Sequence, residues 1–179
     1  MLGEKNVVGV IGDSTFVHSG ITGLINAAYN GVKGVLIILD NGTTAMTGSQ
    51  PHPATGRTIK NRETKRLSLE AVCRAAGADN VEVVNPYRTE ELESLVKRHL
   101  NEDKLSVVIT RFPCRIIERR KSAAPSYIAD KCTKCAVCLG IDCPAIRKRA
   151  DGLIELDTAL CAGCNLCVEV CKFGALKKT

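Results

Sequence analysis

The sequence contains few aromatic residues and no tryptophan; three Tyr and three Phe account for 3% of its 179 residues. Proteins that stack nucleic-acid bases depend on such side chains, so this scarcity argues against a nucleic-acid partner. No apolar run approaches the roughly 20 residues of a membrane-spanning helix, which argues against a membrane role. The first eight residues carry charges ahead of a short apolar run, a pattern typical of a strand and not of a secretory signal. These absences predict a cytoplasmic protein.

The net charge and the cysteine content indicate which partners and cofactors the protein could bind. The formal net charge is +6, and the densest basic run covers residues 115–121. That run is either a solvated face or a docking site for an acidic partner. Eight of the ten cysteines follow Asp130 at regular spacing. In a reducing compartment such cysteines are expected to bind metal and not to form disulfides.

The first two thirds of the chain alternate between continuous apolar runs and segments with helical spacing. We predict strands at residues 6–12, 35–40, 81–84 and 105–112, and helices at 19–30, 67–76 and 89–100. Continuous apolar strands that alternate with helices are typical of a parallel sheet covered on both faces. The fold class is therefore α/β for this part of the chain.

A change of composition divides the chain. Residues 113–127 contain two prolines and the basic run, which indicates a linker. It separates an α/β domain over residues 1–112 from a small cysteine-rich domain over 128–179. The two halves of the second domain repeat a cysteine run followed by a short apolar tail.

The cysteine runs have the spacing of iron–sulfur ligands. Each begins C-x2-C-x2-C, and in two-cluster ferredoxins the last cysteine of each run ligates the other run's cluster. We therefore assign one [4Fe–4S] cluster to Cys132, Cys135, Cys138 and Cys171, and a second to Cys161, Cys164, Cys167 and Cys143. Two Zn(Cys)4 sites are the alternative, although zinc sites usually use separated pairs. The first run has four residues before its last cysteine where three are usual; we expect a shifted potential and an intact cluster.

Polar side chains follow the first two predicted strands. Asp13 comes after the first strand and Asn41 after the second, and the carboxyl ends of parallel strands meet where α/β sheets bind ligands. A carboxylate, an amide oxygen and a main-chain carbonyl near Thr43 would suit Mg²⁺, which also accepts diphosphate oxygens. Asn41-Gly42 is equally an ordinary turn, and Asp13 could be a simple helix cap.

The two segments around these residues are recognisable. GDSTFVHSGITGLINAAYN and LDNGTTAMTGSQPHPATG closely resemble the α subunit of the indolepyruvate:ferredoxin oxidoreductases, which belong to the thiamine-diphosphate-dependent 2-oxoacid:ferredoxin oxidoreductases. The resemblance covers nearly the whole chain. It implies a partial thiamine-diphosphate-binding α/β domain followed by a small α+β two-cluster ferredoxin-like domain.

The resemblance also implies roles for individual residues. The Mg²⁺ ligands would be Asp13, Asn41 and the carbonyl of Thr43, and the cofactor's diphosphate would lie against Gly12, Asp13, Ser14, Thr15 and Phe16. No catalytic residue is assigned, although His18 is a candidate for one. His18 either approaches the diphosphate or is a solvated residue at a helix start, and His52 either approaches the cofactor or is a plain loop histidine.

The implied activity is oxidative decarboxylation of a 2-oxoacid, such as indolepyruvate, to an acyl-CoA. Electrons would pass through the two clusters to an external ferredoxin. The expected partners are the N-terminal part of the α subunit, a β subunit, ferredoxin, the 2-oxoacid and coenzyme A. Because the chain is short for this family, we expect a piece of the subunit that is inactive alone. The alternatives are an electron carrier with a vestigial α/β domain and a non-oxidative thiamine enzyme.

Overall fold

The computed structural model describes residues 7–115 and 123–179. The chain divides between Ile117 and Glu118 into two compact units, a boundary that falls inside the predicted linker. Most of the basic run at 115–121 lies outside the described residues, as does the first residue of the strand predicted at 6–12. In the described parts, no helix has the length and apolar character to cross a membrane.

The first unit is built on a four-stranded parallel sheet. Its strands are β1 (Val8–Gly12), β2 (Gly34–Asp40), β3 (Asn80–Val84) and β4 (Leu105–Arg111), in the order β1-β2-β4-β3. In the central strand β4, every residue from Leu105 to Thr110 is buried, as expected for a strand covered on both faces. The predicted α/β fold is confirmed.

The helices lie between the strands. They are α1 (Asp13–Thr15), α2 (Ile21–Tyr29), α3 (Leu69–Ala75) and α4 (Thr89–Leu100). Leu24 of α2 and Leu69 of α3 pack in one core cluster with Ile38 and Val107, whereas Leu95 of α4 packs in another with Val108. Adjacent strand residues point to opposite faces, so the sheet has a core on each side.

One helix begins earlier than its apolar spacing predicts. The helical run starts at Asp13 and not at residue 19, because a π-helical segment, Phe16–Gly20, joins α1 to α2. A π segment changes the number of residues per turn and so disrupts the period that sequence prediction uses. Asp13 therefore lies in the first turn of the helical run.

The second unit has two short antiparallel pairs: β5 (Ser126–Tyr127) with β8 (Leu176–Lys177), and β6 (Ile146–Lys148) with β7 (Ile154–Leu156). A short helix, α5 (Leu166–Glu169), lies between the pairs in sequence. The buried core consists of Ile146, Ile154, Cys167 and Leu176. So small a core usually needs metal or disulfide support.

Candidate cofactor and cluster sites

Asp13 lies at the carboxyl end of β1 and is held by two backbone groups. Its side chain is 2% exposed. Oδ1 accepts a hydrogen bond from the Ser14 amide at 2.8 Å, and Oδ2 accepts one from the Gly42 amide at 2.9 Å. The second bond joins the helical run to the loop after β2. The structure therefore brings the two motifs of the sequence together, as the parallel topology predicts.

The loop after β2 is fixed by its own polar groups. Asn41 Oδ1 accepts from the Thr43 amide at 3.0 Å, and Thr44 Oγ1 donates to Ser14 Oγ at 2.8 Å. Gly42 has a φ of 73°, in the left-handed region where glycine carries no penalty. Thr43 is buried, and its Oγ1 has no hydrogen-bond partner among the described residues. Hydrogen bonds of the Asn41 and Thr44 side chains thus hold this loop in place.

The predicted diphosphate residues differ in how they could act. The side chain of Phe16 is fully buried in the core beside Leu24, so any contact it makes with a diphosphate must come from its main chain. Thr15 is exposed at the helix start. A Cβ built on Gly12 would meet no atom within 4 Å. There is open space beside the first turn. The Ser14 amide donates to Asp13 Oδ1 and the Phe16 amide to the Asp13 carbonyl, and the positive end of the helix dipole at this turn favours an anion.

The two histidines of this region have different surroundings. His18 is exposed, and its Nδ1 lies 2.7 Å from the Ser14 carbonyl oxygen one turn earlier. His52 is buried, and its Nε2 lies 3.2 Å from Asp13 Oδ2. This contact does not meet hydrogen-bond geometry, and neither ring nitrogen of His52 has a hydrogen bond among the described residues. The sequence analysis did not predict that His52 is buried. The only local feature that sets His52 apart is that it lies between two prolines, Pro51 and Pro53, which restrict the backbone.

A second buried carboxylate lies near Asp13 but has its own cation. Asp40, at the end of β2, pairs with Arg111 Nε at 2.5 Å, and Arg111 Nη1 pairs with Glu70 at 2.8 Å. The bond to Arg111 lowers the pKa of Glu70 to about 2. Burial raises the pKa of Asp13, and the charge of Asp40 adds to that effect. Asp13, which has no such arginine, is the carboxylate suited to a bound cation.

These residues fit a Mg²⁺–diphosphate group. Asp13 and Asn41 offer hard oxygen ligands of the kind that Mg²⁺ takes. The first turn of the helical run presents the positive end of its dipole to an anion, beside the open space at Gly12. A divalent cation would also offset the cost of burying the Asp13 carboxylate.

The first cysteine set surrounds one pocket of the second unit. That pocket is lined by Cys132, Cys135 and Cys138 of the first run and by Cys171 of the second. Burial raises the pKa of the Cys138 thiol, and the charges of the other three cysteines raise it further. The last cysteine of the second run is thus grouped with the first run.

The second set mirrors the first. Burial raises the pKa of Cys167 to about 11, and the charges of Cys164, Cys161 and Cys143 add to that effect. The amide of Gly163 donates to Cys161 Sγ at 3.4 Å. The structure therefore brings together the same two groups of four that the spacing predicts. In residues 7–115 and 123–179, no three His, Cys, Asp or Glu side chains converge on a site for a single metal ion. A [4Fe–4S] cluster is wider than one ion, so its four cysteine ligands lie further apart.

The two cysteine loops share an unusual backbone. Lys134 and Ala136 lie two and four positions after Cys132, and Gly163 and Asn165 hold the same places after Cys161; all four have φ between 59° and 64°. Left-handed residues at these positions turn the chain tightly. The extra residue of the first run is taken up by a 3₁₀ turn, Val137–Ile141, followed by left-handed Asp142. Cys143 still joins the second set.

The remaining two cysteines stand apart. Cys73 is fully buried in the core of the first unit, and burial raises the pKa of its thiol to about 11. Cys114 is partly buried just after β4. Neither belongs to a metal set among the described residues.

Two family models match the chain. One is described as "Thiamine pyrophosphate enzyme, C-terminal TPP binding domain" and matches residues 1–110, more than half of the chain. The other is described as "4Fe-4S binding domain" and matches residues 154–177. The first match covers the sheet and the Asp13 loop, and the second covers the cysteine run that begins at Cys161.

Curated relatives match over nearly the whole chain. Indolepyruvate oxidoreductase subunit IorA of Archaeoglobus fulgidus is 41% identical over 180 residues, which cover 97% of this chain and 29% of the relative. The subunit of the same name from Methanothermobacter marburgensis is 41% identical over 176 residues, with 97% and 28% covered. That of Pyrococcus horikoshii is 40% identical, with 98% and 28% covered. The chain spans less than a third of the length of these relatives.

Proposed function

The chain belongs to the thiamine pyrophosphate enzymes, and from that premise we propose that it is the cofactor-binding and electron-transfer part of a 2-oxoacid:ferredoxin oxidoreductase. One observation carries the proposal: a thiamine-pyrophosphate-binding domain and two sets of four cysteines occur in one chain. A non-oxidative thiamine enzyme has no use for iron–sulfur clusters. An oxidative one must remove two electrons.

We assign cofactor binding to the carboxyl end of β1 and β2. Asp13, Asn41 and the Thr43 carbonyl would hold Mg²⁺, and the main chain of the first helical turn would bind the diphosphate. The bound cofactor supplies an electron sink for the pair left when the 2-oxoacid loses carbon dioxide. Arg111 neutralises Asp40, so that the site would present one uncompensated carboxylate to a bound metal and not two.

We assign electron transfer to the two cysteine sets. A [4Fe–4S] cubane accepts one electron at a time, so two clusters provide two one-electron acceptors for a two-electron oxidation. Crossed ligation by Cys143 and Cys171 would hold both clusters in one small unit. The final acceptor would be an external ferredoxin.

The relatives' names favour indolepyruvate as the substrate. We propose an acyl-CoA product, the rest of the α subunit and a β subunit as further parts of the system, and the cytoplasm as its location. The test is anaerobic viologen reduction by the assembled enzyme, with and without the 2-oxoacid, coenzyme A and thiamine diphosphate. Dye reduction that needs all three supports the proposal. Clusters that dithionite reduces, in a protein that binds no thiamine diphosphate, would instead identify an electron carrier.

A further inference from the structure

The imidazole ring of His52 is buried and lies close to the proposed metal site. Its side chain is 0% exposed, and neither Nδ1 nor Nε2 has a hydrogen bond among the described residues. Leaving a buried polar group unpaired destabilises the folded protein. Such a cost is usual where a side chain serves a site that is completed by a ligand.

A carboxylate oxygen of the proposed metal site lies close to the His52 ring. His52 Nε2 lies 3.2 Å from Asp13 Oδ2, which is within hydrogen-bond distance, although hydrogen-bond geometry is not met. Each oxygen of Asp13 already accepts one backbone amide, from Ser14 and from Gly42. A carboxylate oxygen has a further lone pair, so Oδ2 can accept a second hydrogen bond.

The main chain at His52 is held firmly in place. Pro53 follows it and opens a 3₁₀ turn, Pro53–Thr55. The carbonyl of His52 accepts from both the amide and Oγ1 of Thr55 at 2.8 Å, and the carbonyl of Pro53 accepts from the Leu67 amide at 3.0 Å. Because the main chain that follows His52 is fixed in this way, the ring can satisfy Oδ2 by a change of tilt alone.

We propose that His52 is a positioning residue for the metal-ligating carboxylate of Asp13. Its Nε2–H donates to Asp13 Oδ2 when Mg²⁺ and thiamine diphosphate bind, and this bond keeps the carboxylate in its ligating orientation. Outer-shell partners of this kind typically contribute 10–100-fold to metal affinity. The inference rests on the proposed role of Asp13 as a Mg²⁺ ligand.

The test is Mn²⁺ binding to the assembled enzyme with saturating thiamine diphosphate. Electron paramagnetic resonance counts the free Mn²⁺, which replaces Mg²⁺ as the probe. His52→Phe keeps a ring but removes the donor, and we expect affinity to fall about 10–100-fold. His52→Gln keeps a side-chain N–H, and we expect most of the affinity to return. If His52→Phe does not fold, His52→Ala with added imidazole tests the same donor.

The matched control is His99→Phe. His99 is also a buried histidine, but it lies between Glu82 and Glu102, beside the amino ends of the strands. We expect the Mn²⁺ affinity of the His99→Phe variant to match that of the wild type. Wild-type Mn²⁺ affinity in His52→Phe, or equal losses in His52→Phe and His52→Gln, would overturn the positioning role alone. If Asp13→Asn also binds Mn²⁺ and thiamine diphosphate normally, both this inference and the proposed metal site are wrong.

Discussion

The ion pairs of Arg111 make a measurable contribution to the stability of the sheet. Arg111 pairs with Asp40, whose side chain is 2% exposed, and with Glu70 at the start of α3. Arg111→Met keeps much of the side chain's volume and leaves the buried Asp40 without its cation. Losing one partner of a fully buried pair costs about 3–5 kcal/mol. Because Arg111 is itself 34% exposed, water screens part of this loss, and we expect about 2–3 kcal/mol at neutral pH.

Part of this loss should depend on pH through Glu70. Arg111 lowers the pKa of Glu70 from 4.5 to about 2 in the folded protein. A lowered folded-state pKa contributes stability that is present above the unfolded pKa and is lost as the pH falls through the folded one. The difference between wild type and Arg111→Met should therefore be constant near neutral pH and shrink as the pH falls from 4.5 toward about 2.

Hydrogen exchange measured by mass spectrometry is the suitable assay, because a chain of two units need not unfold in one step. The protection of β2 and β4 amides gives their opening free energy. The control is Arg98→Met, which removes an exposed pair with Glu82 and should cost less than about 1 kcal/mol. Equal losses in the two variants, or an Arg111→Met loss that is unchanged at pH 3, would refute this account of the pairs.

The remaining predictions concern the clusters and the cofactor. Cys135→Ala and Cys143→Ala should each lower the iron content from about eight to about four per chain but remove different clusters, which low-temperature paramagnetic resonance can distinguish; loss of the same signal in both would refute crossed ligation. Asp13→Ala should abolish Mg²⁺-dependent thiamine diphosphate binding in a calorimetric titration, while the iron content stays unchanged. The chain by itself should be reduced by dithionite yet show no oxoacid-dependent dye reduction, because it spans less than a third of the length of its relatives; robust turnover would contradict that expectation.

The fold was largely predictable because its strands are continuous apolar runs. β2 and β4 are buried in the middle of the sheet, and such runs are visible in a single sequence. The start of the helical run at Asp13 was not predictable, since the π segment Phe16–Gly20 changes the period. Local deviations from a regular period leave no signal in apolar spacing.

Part of the candidate site was predictable, because its residues directly follow strands whose parallel arrangement the sequence predicts. Asp13 and Asn41 follow consecutive parallel strands, so their meeting follows from the fold, and the comparisons confirm the family resemblance that their motifs carry. His52 was considered as a cofactor residue, but its burial against Asp13 was not foreseen, and Arg111 was not identified. His52 lies on an aperiodic loop, and the pairing of Arg111 with Asp40 depends on the register between β2 and β4. Neither can be derived from local sequence.

The two cysteine loops show how a repeat can keep its geometry while its sequence changes. At the position two residues after the first cysteine, one loop has Lys134 and the other has Gly163, yet both are left-handed. A residue with a Cβ pays about 1–2 kcal/mol for this conformation, and glycine does not. The first loop accepts this cost at Lys134 and Ala136 and still directs Cys132, Cys135 and Cys138 to one pocket. Ligation of a cluster would offset this strain, because the free energy of metal binding contributes to the stability of the folded loop. The backbone of the cysteine loops is therefore itself an argument for clusters in both halves of the repeat.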